Sequence, residues 1–567
     1  MRRWFKLSRF LITSALPYIN GVKHLGNLTG SLLPADAYAR FLRLEGEDVI
    51  FVCATDEHGT PAELSALETD LSVQEYCNAM HQKQASIYQE FGLSFDYFGR
   101  TSSLQNHELT KHFFERLAAN GYIEERPIRQ VYSLKDERFL PDRYVIGACP
   151  KCGYEAARGD QCENCTSVLD PVDLLAPRSA VSGSTELEVR TTKHLFFRLD
   201  ALANEVRTWV ESHEKWSRLT RSIAMKWLNE GLNERCITRD LQWGVSVPRD
   251  GFEEKVFYVW FDAPIGYVGA TKEYSDQAPD SRDWKDWWLN ASDVTYTQFM
   301  AKDNVPFHTV FFPAMILGTR EPWTMATQIK SFNWLTYYGG KFSTSQKRGI
   351  FLDDALELFD ADYWRYFLLA NSPETDDASF TWELFATMLN KDLVGNFGNF
   401  VNRTLKLTVA QFGDRVPDGG SPSELEEKLK EDCQRVLAAY RHQFVNLEFR
   451  KVIQALRELW SLGNVYLDRR APWNLVKTNR TEAAMVLRTA INLIKCFAIA
   501  AEPIIPFSSA RVFDALNLAA GERREWLKDE FDLYSYQPGR QFTVPEPLFR
   551  RIEKVEMEEL QLRFSGR

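Results

Sequence analysis

A doubly wound α/β domain, split by an insertion and followed by an all-α helical bundle, is the fold this sequence predicts. Three observations carry that prediction. Strand-like apolar runs alternate with helical stretches over residues 9–125. The alternation stops at 126–233, where paired cysteines and polar loops appear, and resumes at Lys255. From Asp353 onward, apolar residues recur three to four positions apart, the period of a helix face.

Phe10–Thr13 and Asp48–Ala54 are short, largely apolar runs, suited to buried strands. Leu28–Leu44 and Val73–Phe91 are the helices between and after them. This order gives a parallel, Rossmann-type sheet with its ligand site beyond the strands' C-terminal ends. The insertion holds Pro141-Asp142-Arg143 and a Ser/Thr-rich loop from Ser179 to Thr192. Strands are expected again at Lys255–Phe261 and His308–Phe312, and Gly339-Gly340 marks the next change of character. Ser421-Pro422-Ser423-Glu424 reads as a capping box with proline at the first helical position. It opens a helix with Leu425, Leu429, Cys433, Val436, Tyr440 and Phe444 on one face. Residues 449–470 and 482–516 repeat the pattern. The expected units are 1–125 and 234–338 as two halves of the sheet domain, 126–233 as the insertion, 339–394 as a loop and contact region, and 395–567 as the bundle.

A chain of 567 residues can bury several cores. Its formal charge of −10 argues against a general polyanion binder, so any nucleic-acid contact must be local. Cys53, Cys77, Cys236, Cys433 and Cys496 are scattered, which suits a reducing compartment better than a disulfide framework. The start, Met1-Arg2-Arg3-Trp4-Phe5-Lys6, is faintly signal-like, but the apolar stretch after it is short and contains Pro17. No run of about eighteen apolar residues occurs, so no spanning helix is expected, and the expected location is the cytoplasm.

Six constellations carry chemistry. Cys149, Cys152, Cys162 and Cys165 form a C-x2-C-x9-C-x2-C pattern of two knuckles. Four thiolates suit a closed, structural zinc site; an iron–sulfur cluster is the weaker alternative. His24-Leu25-Gly26-Asn27 follows a glycine turn at a helix N-terminus, where free N–H groups and the helix dipole favour phosphate oxygens. Its plain reading is a capped helix with a solvent-facing histidine. Thr55-Asp56-Glu57-His58-Gly59-Thr60 ends a strand, and Asp56 there suits an ammonium group or a ribose hydroxyl. Lys341-Phe342-Ser343-Thr344-Ser345-Gln346-Lys347-Arg348-Gly349 is either a loop that closes on a triphosphate or an ordinary solvated cationic loop. Tyr18, Trp260, Tyr267 and His308 fall at or beside predicted strand ends, as core packing or as a pocket in which a thioether gains from sulfur–aromatic contact. Asn399 and Arg403 share a helix face, and Trp473 follows Ala471-Pro472. Amide, guanidinium and indole together suit unstacked RNA bases.

These residues together resemble the methionyl-tRNA synthetase family of class I aminoacyl-tRNA synthetases, over essentially the whole chain. Ala15–Asn27 looks like the family's first signature and Lys341–Ser345 like its second. Tyr258–Tyr267 is similar to the methionine-pocket segment and is more specific than either; Phe139–Val145 and Ala471-Pro472-Trp473 also fit. The resemblance implies a methionine–tRNA ligase that forms methionyl-adenylate and pyrophosphate from L-methionine and ATP, then charges initiator and elongator tRNA(Met). It implies that His24, Gly26, Asn27, Asp303, Lys341, Ser343 and Ser345 bind ATP, with His24, Asn27, Lys341, Thr344 and Lys347 at the catalytic positions. Leu16, Tyr18, Asp56, Trp260, Ala263, Pro264, Tyr267 and His308 would form the methionine pocket, with Asp56 on the ammonium. Asn399, Arg403 and Trp473 would read the anticodon. One structural Zn2+ and Mg2+ with ATP are the implied cofactors; a monomer with no DNA or membrane partner and no separate editing site is expected.

The sequence departs from the pattern twice. Asn27 replaces the last histidine of the first signature, and Thr344 stands where the second usually has lysine. Threonine supplies no cation, so Lys341, Lys347 and Arg348 are the candidates to replace it. Two alternatives follow: a catalytically impaired tRNA-binding paralogue, or a related class I synthetase.

Overall fold

The computed structural model describes residues 8–566, apart from 160, 161, 163, 166, 168, 278–281, 343–347 and 524–531. A five-stranded parallel sheet sits at its centre: β1 (Arg9–Ser14), β2 (Asp48–Thr55), β3 (Tyr97–Arg100), β4 (Val294–Ala301) and β5 (Gln328–Phe332), in the order β5-β4-β1-β2-β3. Arg9 lies opposite both Asp48 and Val294, so β1 is paired on both edges. Ile12 and Phe51 point into one apolar cluster, and Leu11, Ile50 and Val52 into another on the opposite face. Burial on both faces is why these strands read as continuous apolar runs. From β1 the chain steps outward to β3, then returns to the other side of β1 for β4 and β5. That reversal leaves a crevice beyond the C-terminal ends of β1 and β4.

The insertion lies between β3 and β4. Its long antiparallel pair joins Ile123–Ser133 to Leu187–Phe197. A smaller sheet, with Val145–Ala148 between Ala157–Arg158 and Leu175–Ser179, carries the first knuckle on the turn after its central strand. The expected Ser179–Thr192 loop is therefore strand from Leu187 onward, because Val189, Thr191 and Thr192 are β-branched and find partners in 128–131.

Three further expectations are corrected. Of Lys255–Phe261, only Val256–Phe257 is strand; the chain turns helical at Val259–Asp262, passes Ala263–Ile265 and enters the helix Gly266–Gln277. His308–Phe312 is also helical, through a π-helical segment Phe307–Phe311 that continues as Phe312–Thr319. A short apolar run does not separate a buried strand from a buried helix; the prolines at 264 and 313, each in a first turn, were the available signal. The capping box also sits two residues later than expected: Ser423 is the cap and Glu426 its reciprocal partner, with Ser423 N donating to Glu426 Oε2 at 3.0 Å.

The C-terminal region is a bundle built on Asn399–Phe412, Glu424–Val445, Phe449–Arg470 and Arg480–Ala501. The last of these is long and apolar enough to cross a membrane, yet 94% of its apolar window is buried inside the protein, so it is the bundle's core helix. Its core is continuous with one face of the sheet: the Phe449 ring lies 6.1 Å from Phe299 of β4 and 6.2 Å from Phe332 of β5. A fully buried guanidinium ties the same regions together. Arg365 donates to Asp36 Oδ2 (2.6 Å) and to the carbonyls of Phe91 (3.1 Å), Pro503 (3.1 Å) and Ile504 (2.9 Å).

Candidate active site

The β1 strand delivers Ala15–Asn27 to the crevice. His24 caps the short helical turn Leu25–Asn27. Gly26 N donates to His24 Nδ1 (3.1 Å), and His24 N donates to Asn27 Oδ1 (3.1 Å). This reciprocal pair satisfies N–H groups that a helix start leaves open. The cap is as expected, but the histidine is half-buried in the cleft and stacked on Phe342 rather than solvent-facing, and that sets the chemistry. With Nδ1 accepting, the neutral imidazole carries its proton on Nε2. Burial, aided by the neighbouring Lys23, lowers His24 to about 4, so at neutral pH it is a hydrogen-bond donor and not a cation. The ring stacks on Phe342 at 4.6 Å and 11°. A Cβ on Gly26 would come within 2.9 Å of the His24 imidazole, so a side chain there would displace the ring.

A cavity of about 360 Å³ opens at this point, lined by Lys23, His24, Gly26, Asn27, Asp303 and Lys341 among others. Burial lowers Lys23 to about 8 while Asp56 opposes the shift. The Lys341 ammonium lies 5.3 Å from the Trp334 ring centroid. Arg348 does not line the cavity: it donates to the Tyr337 carbonyl at 3.1 Å. Ser343, Thr344, Ser345 and Lys347 lie outside the described residues.

A second cavity, about 60 Å³, is lined by Leu16, Tyr18, Asp56, Trp260, Ala263, Pro264, Tyr267 and His308, together with Asn304 and Phe307. Leu16, Tyr18 and Asn304 belong to both cavities, so the two are contiguous. The helical path of 259–277 explains the grouping: Trp260, Ala263, Pro264 and Tyr267 are spaced to share one face. The Tyr267 hydroxyl donates to His308 Nε2 (2.7 Å), while His308 Nδ1–H donates to the Asn304 carbonyl (2.9 Å). Burial lowers His308 to about 4, which keeps this tautomer neutral. Phe307 meets Trp260 edge-on at 4.6 Å.

Asp56 is anchored by its backbone, which bonds Pro17 O (2.9 Å) and Ile19 N (2.9 Å). Its Oδ1 is buried and has no hydrogen-bond partner among the described residues. Burial, then Asp262, then Glu57, drive its carboxyl well above the usual carboxylate range. The neighbouring Glu57 is held by Arg100 Nε (3.0 Å) and Nη2 (2.8 Å).

The remaining candidates form two further groups. The sulfurs of Cys149, Cys152, Cys162 and Cys165 all lie within 4.8 Å of one another, with Cys149–Cys165 at 3.8 Å and Cys152–Cys162 at 3.6 Å. A zinc tetrathiolate with Zn–S of about 2.3 Å has sulfur–sulfur edges of about 3.8 Å, so the cluster fits that ion. On the bundle, the Arg403 guanidinium lies 5.0 Å from the Trp473 ring centroid, and Asn399 is exposed one turn earlier on the same helix. Ala471 holds φ at +43° between two helices and swings Trp473 to the surface, 36% exposed.

Sequence reasoning missed Asn304, Phe307 and Phe342. Asn304 and His308 stand four apart, a helical contact hidden by reading 308–312 as strand. It also missed His58 and Asp262, whose side chains meet at 2.6 Å across 204 residues of sequence. Only the fold shows that pairing.

A cleft with a helix N-terminus, joined to an aromatic side pocket and followed by a helical bundle, suits a nucleotide-using enzyme, and the family matches make it a class I aminoacyl-tRNA synthetase. The family described as "tRNA synthetases class I (M)" matches residues 10–405, and the "anticodon binding domain of methionyl tRNA ligase" matches 416–567. Methionine–tRNA ligase 1 of Acaryochloris marina is 59% identical over 558 residues, spanning 98% of this chain and 100% of the relative. Methionine–tRNA ligase of Streptomyces avermitilis is 58% identical over 571 residues, at 99% and 100%. Methionyl-tRNA synthetase of Mycobacterium tuberculosis, solved with methionyl-adenylate, shares the fold: TM-score 0.77, 23% identity, 96% of this chain and 100% of that one. The chain belongs to the methionine–tRNA ligase family.

Proposed function

We propose how the residues of this chain divide the work of methionine–tRNA ligation. The chain activates L-methionine with ATP and transfers it to tRNA, as its family and full-length relatives indicate; nothing favours an inactive paralogue or another specificity. One observation carries the assignment of residues: all eight candidate pocket residues line one small cavity that opens into the cleft holding His24 and Asn27. The methionine side chain enters among Leu16, Trp260, Ala263, Pro264, Tyr267 and His308, where the thioether meets aromatic edges. Asp56 receives the ammonium. The carboxylate then faces the larger cavity, where ATP lies.

The reaction needs little proton transfer. The methionine carboxylate is already ionised and attacks the α-phosphorus, with pyrophosphate leaving. His24 Nε2–H and the Asn27 side-chain amide donate to the phosphates, and Lys341 supplies positive charge. Mg2+ enters with ATP as part of the substrate. Asp303 and Gly26 border the nucleotide. Ser343, Thr344, Ser345 and Lys347 are proposed to complete the clamp. We assign residues 395–567 to anticodon recognition, through Asn399, Arg403 and Trp473, for both initiator and elongator tRNA(Met). The insertion 126–233 carries one structural zinc on its four cysteines, and 339–394 links the cleft to the bundle. A cytoplasmic monomer fits this reading. Methionine-dependent ATP–pyrophosphate exchange tests it: exchange stimulated equally by cysteine, leucine or isoleucine would remove the pocket assignment.

A further inference from the structure

Three carboxylates crowd the methionine side of the cleft: Asp56, Glu57 and Asp262. Each is buried, at 5%, 0% and 0% exposure. Like charges so placed cannot all ionise unless cations offset them. Glu57 is matched by the Arg100 fork and receives further hydrogen bonds from Thr55 Oγ1 (2.7 Å) and Ser102 Oγ (2.5 Å). Asp262 is matched by one group, His58, whose Nδ1 meets its Oδ2 at 2.6 Å. Of the three, Asp56 has no protein cation on it at hydrogen-bonding distance among the described residues; Lys23 acts on it electrostatically, and its nitrogen bonds Asn20.

The placement of the His58–Asp262 pair is specific. His58 ends the loop that carries Asp56, two residues away. Asp262 ends the helical turn that carries Trp260, immediately before Ala263 and Pro264. The pair therefore joins the ammonium subsite to the apolar wall of the same pocket. The other groups facing it are His107, whose ring is 5.4 Å from that of His58, and Trp243, 5.7 Å away. Burial and the proximity of His58 and Lys111 lower His107 to about 4, so it brings no charge. Around Asp56 stand Asp262, Glu57, Lys23 and Tyr18.

We propose that His58 is a positioning residue for methionine: bonded to Asp262 at 2.6 Å, it ties up that carboxylate, so that Asp56 is the acidic group left open to hold the substrate ammonium. This rests on the methionine-ligase reading above and extends it to a residue outside the pocket lining. His58 touches neither ligand; it acts through Asp262 on Asp56. Glu57 and Asp262 are each held by a protein partner, which leaves Asp56 to match the one positive charge of the incoming amino acid.

The test is a double-mutant cycle on the intact chain, read by methionine-dependent pyrophosphate exchange. His58→Asn keeps a hydrogen-bond donor near Asp262 but removes the imidazole that ties it up. The expected result is a KM for methionine about tenfold higher at pH 7, the effect of one uncompensated charge at this range. KM for ATP should stay within about twofold, and the acid limb of the methionine KM profile should move to higher pH. Adding Asp262→Asn should bring KM for methionine back toward the wild-type value, because the competing charge is gone. Equal rises in both KM values, or a double variant worse than His58→Asn, would overturn the proposal. His58→Gln repeats the test should the asparagine variant fold poorly, with the same expected signs. Failure of the wild type to exchange with methionine would instead count against the functional reading.

Discussion

Methionine binding should release a proton, because burial beside Asp262 and Glu57 raises the carboxyl that receives its ammonium. Asp56 is buried beside two other carboxylates, and that environment favours its neutral form. A carboxylic acid cannot accept an ion pair from an ammonium; it must first ionise. The bound state therefore holds fewer protons than the free state, and rising pH favours binding. In the range where Asp56 is mostly protonated when empty, release approaches about one proton per methionine. Apparent affinity then gains about tenfold per pH unit, or ~1.4 kcal/mol. The gain ends once Asp56 is ionised without ligand. Calorimetry of methionine binding in two buffers of different ionisation enthalpy counts the proton directly. Work at pH 7 keeps Lys23, lowered to about 8, mostly charged and outside the count. Asp56→Asn should abolish both the proton release and most of the affinity. Proton uptake on binding, or an affinity that does not change with pH, would refute the assignment of Asp56 to the ammonium.

Other outcomes follow from named contacts. Tyr267→Phe removes the donor to His308 Nε2 and should raise KM for methionine by about 1–3 kcal/mol equivalent, with little change for ATP. Freshly purified protein should contain about one zinc per chain, and Cys152→Ser should lower that content by elemental analysis. Trp473→Ala should weaken tRNA charging by about 1–3 kcal/mol, the value of one base–aromatic stack, while pyrophosphate exchange is unchanged. Arg365→Met leaves Asp36 buried without its fully enclosed partner and should lower stability by about 3–5 kcal/mol in urea unfolding, tempered by the second salt bridge from Arg40 to Asp36 at 3.0 Å.

The parts of this molecule that the sequence makes legible are those whose physics is local. β1 and β2 are read correctly because a strand buried on both faces must be apolar throughout. The knuckles are readable because two cysteines three apart can converge only on a tight turn. The segment 255–267 shows the opposite case. Its apolar residues satisfy either period, and tertiary packing decides for helix. The pocket residues were named by family resemblance, since nothing in their spacing brings Leu16, Asp56 and His308 together; that meeting depends on the strand order. His58 and Asp262 were invisible for the same reason. A histidine in a loop and an aspartate beside a tryptophan carry no mark of their pairing until β2 and the 259–262 turn are placed side by side.

The strand order also bears on how charging is coupled to tRNA choice. Phe449 packs on β4 and β5, the strands whose C-terminal ends deliver Asp303, Asn304 and the loop region to the cleft. The helix that begins at Phe449 runs unbroken to Arg470, and Trp473 follows directly. At 1.5 Å per residue its 22 residues span about 33 Å. One continuous helix thus connects the sheet to the proposed anticodon reader, and Arg365 pins the same bundle to Asp36 from another side. Coupling by a switch needs an element with two arrangements; a helix seated in a continuous core offers one. The geometry therefore favours a fixed spacing: the frame holds the cleft and the proposed reader at one distance, and choice among tRNAs of similar overall length falls to the base contacts at Asn399, Arg403 and Trp473.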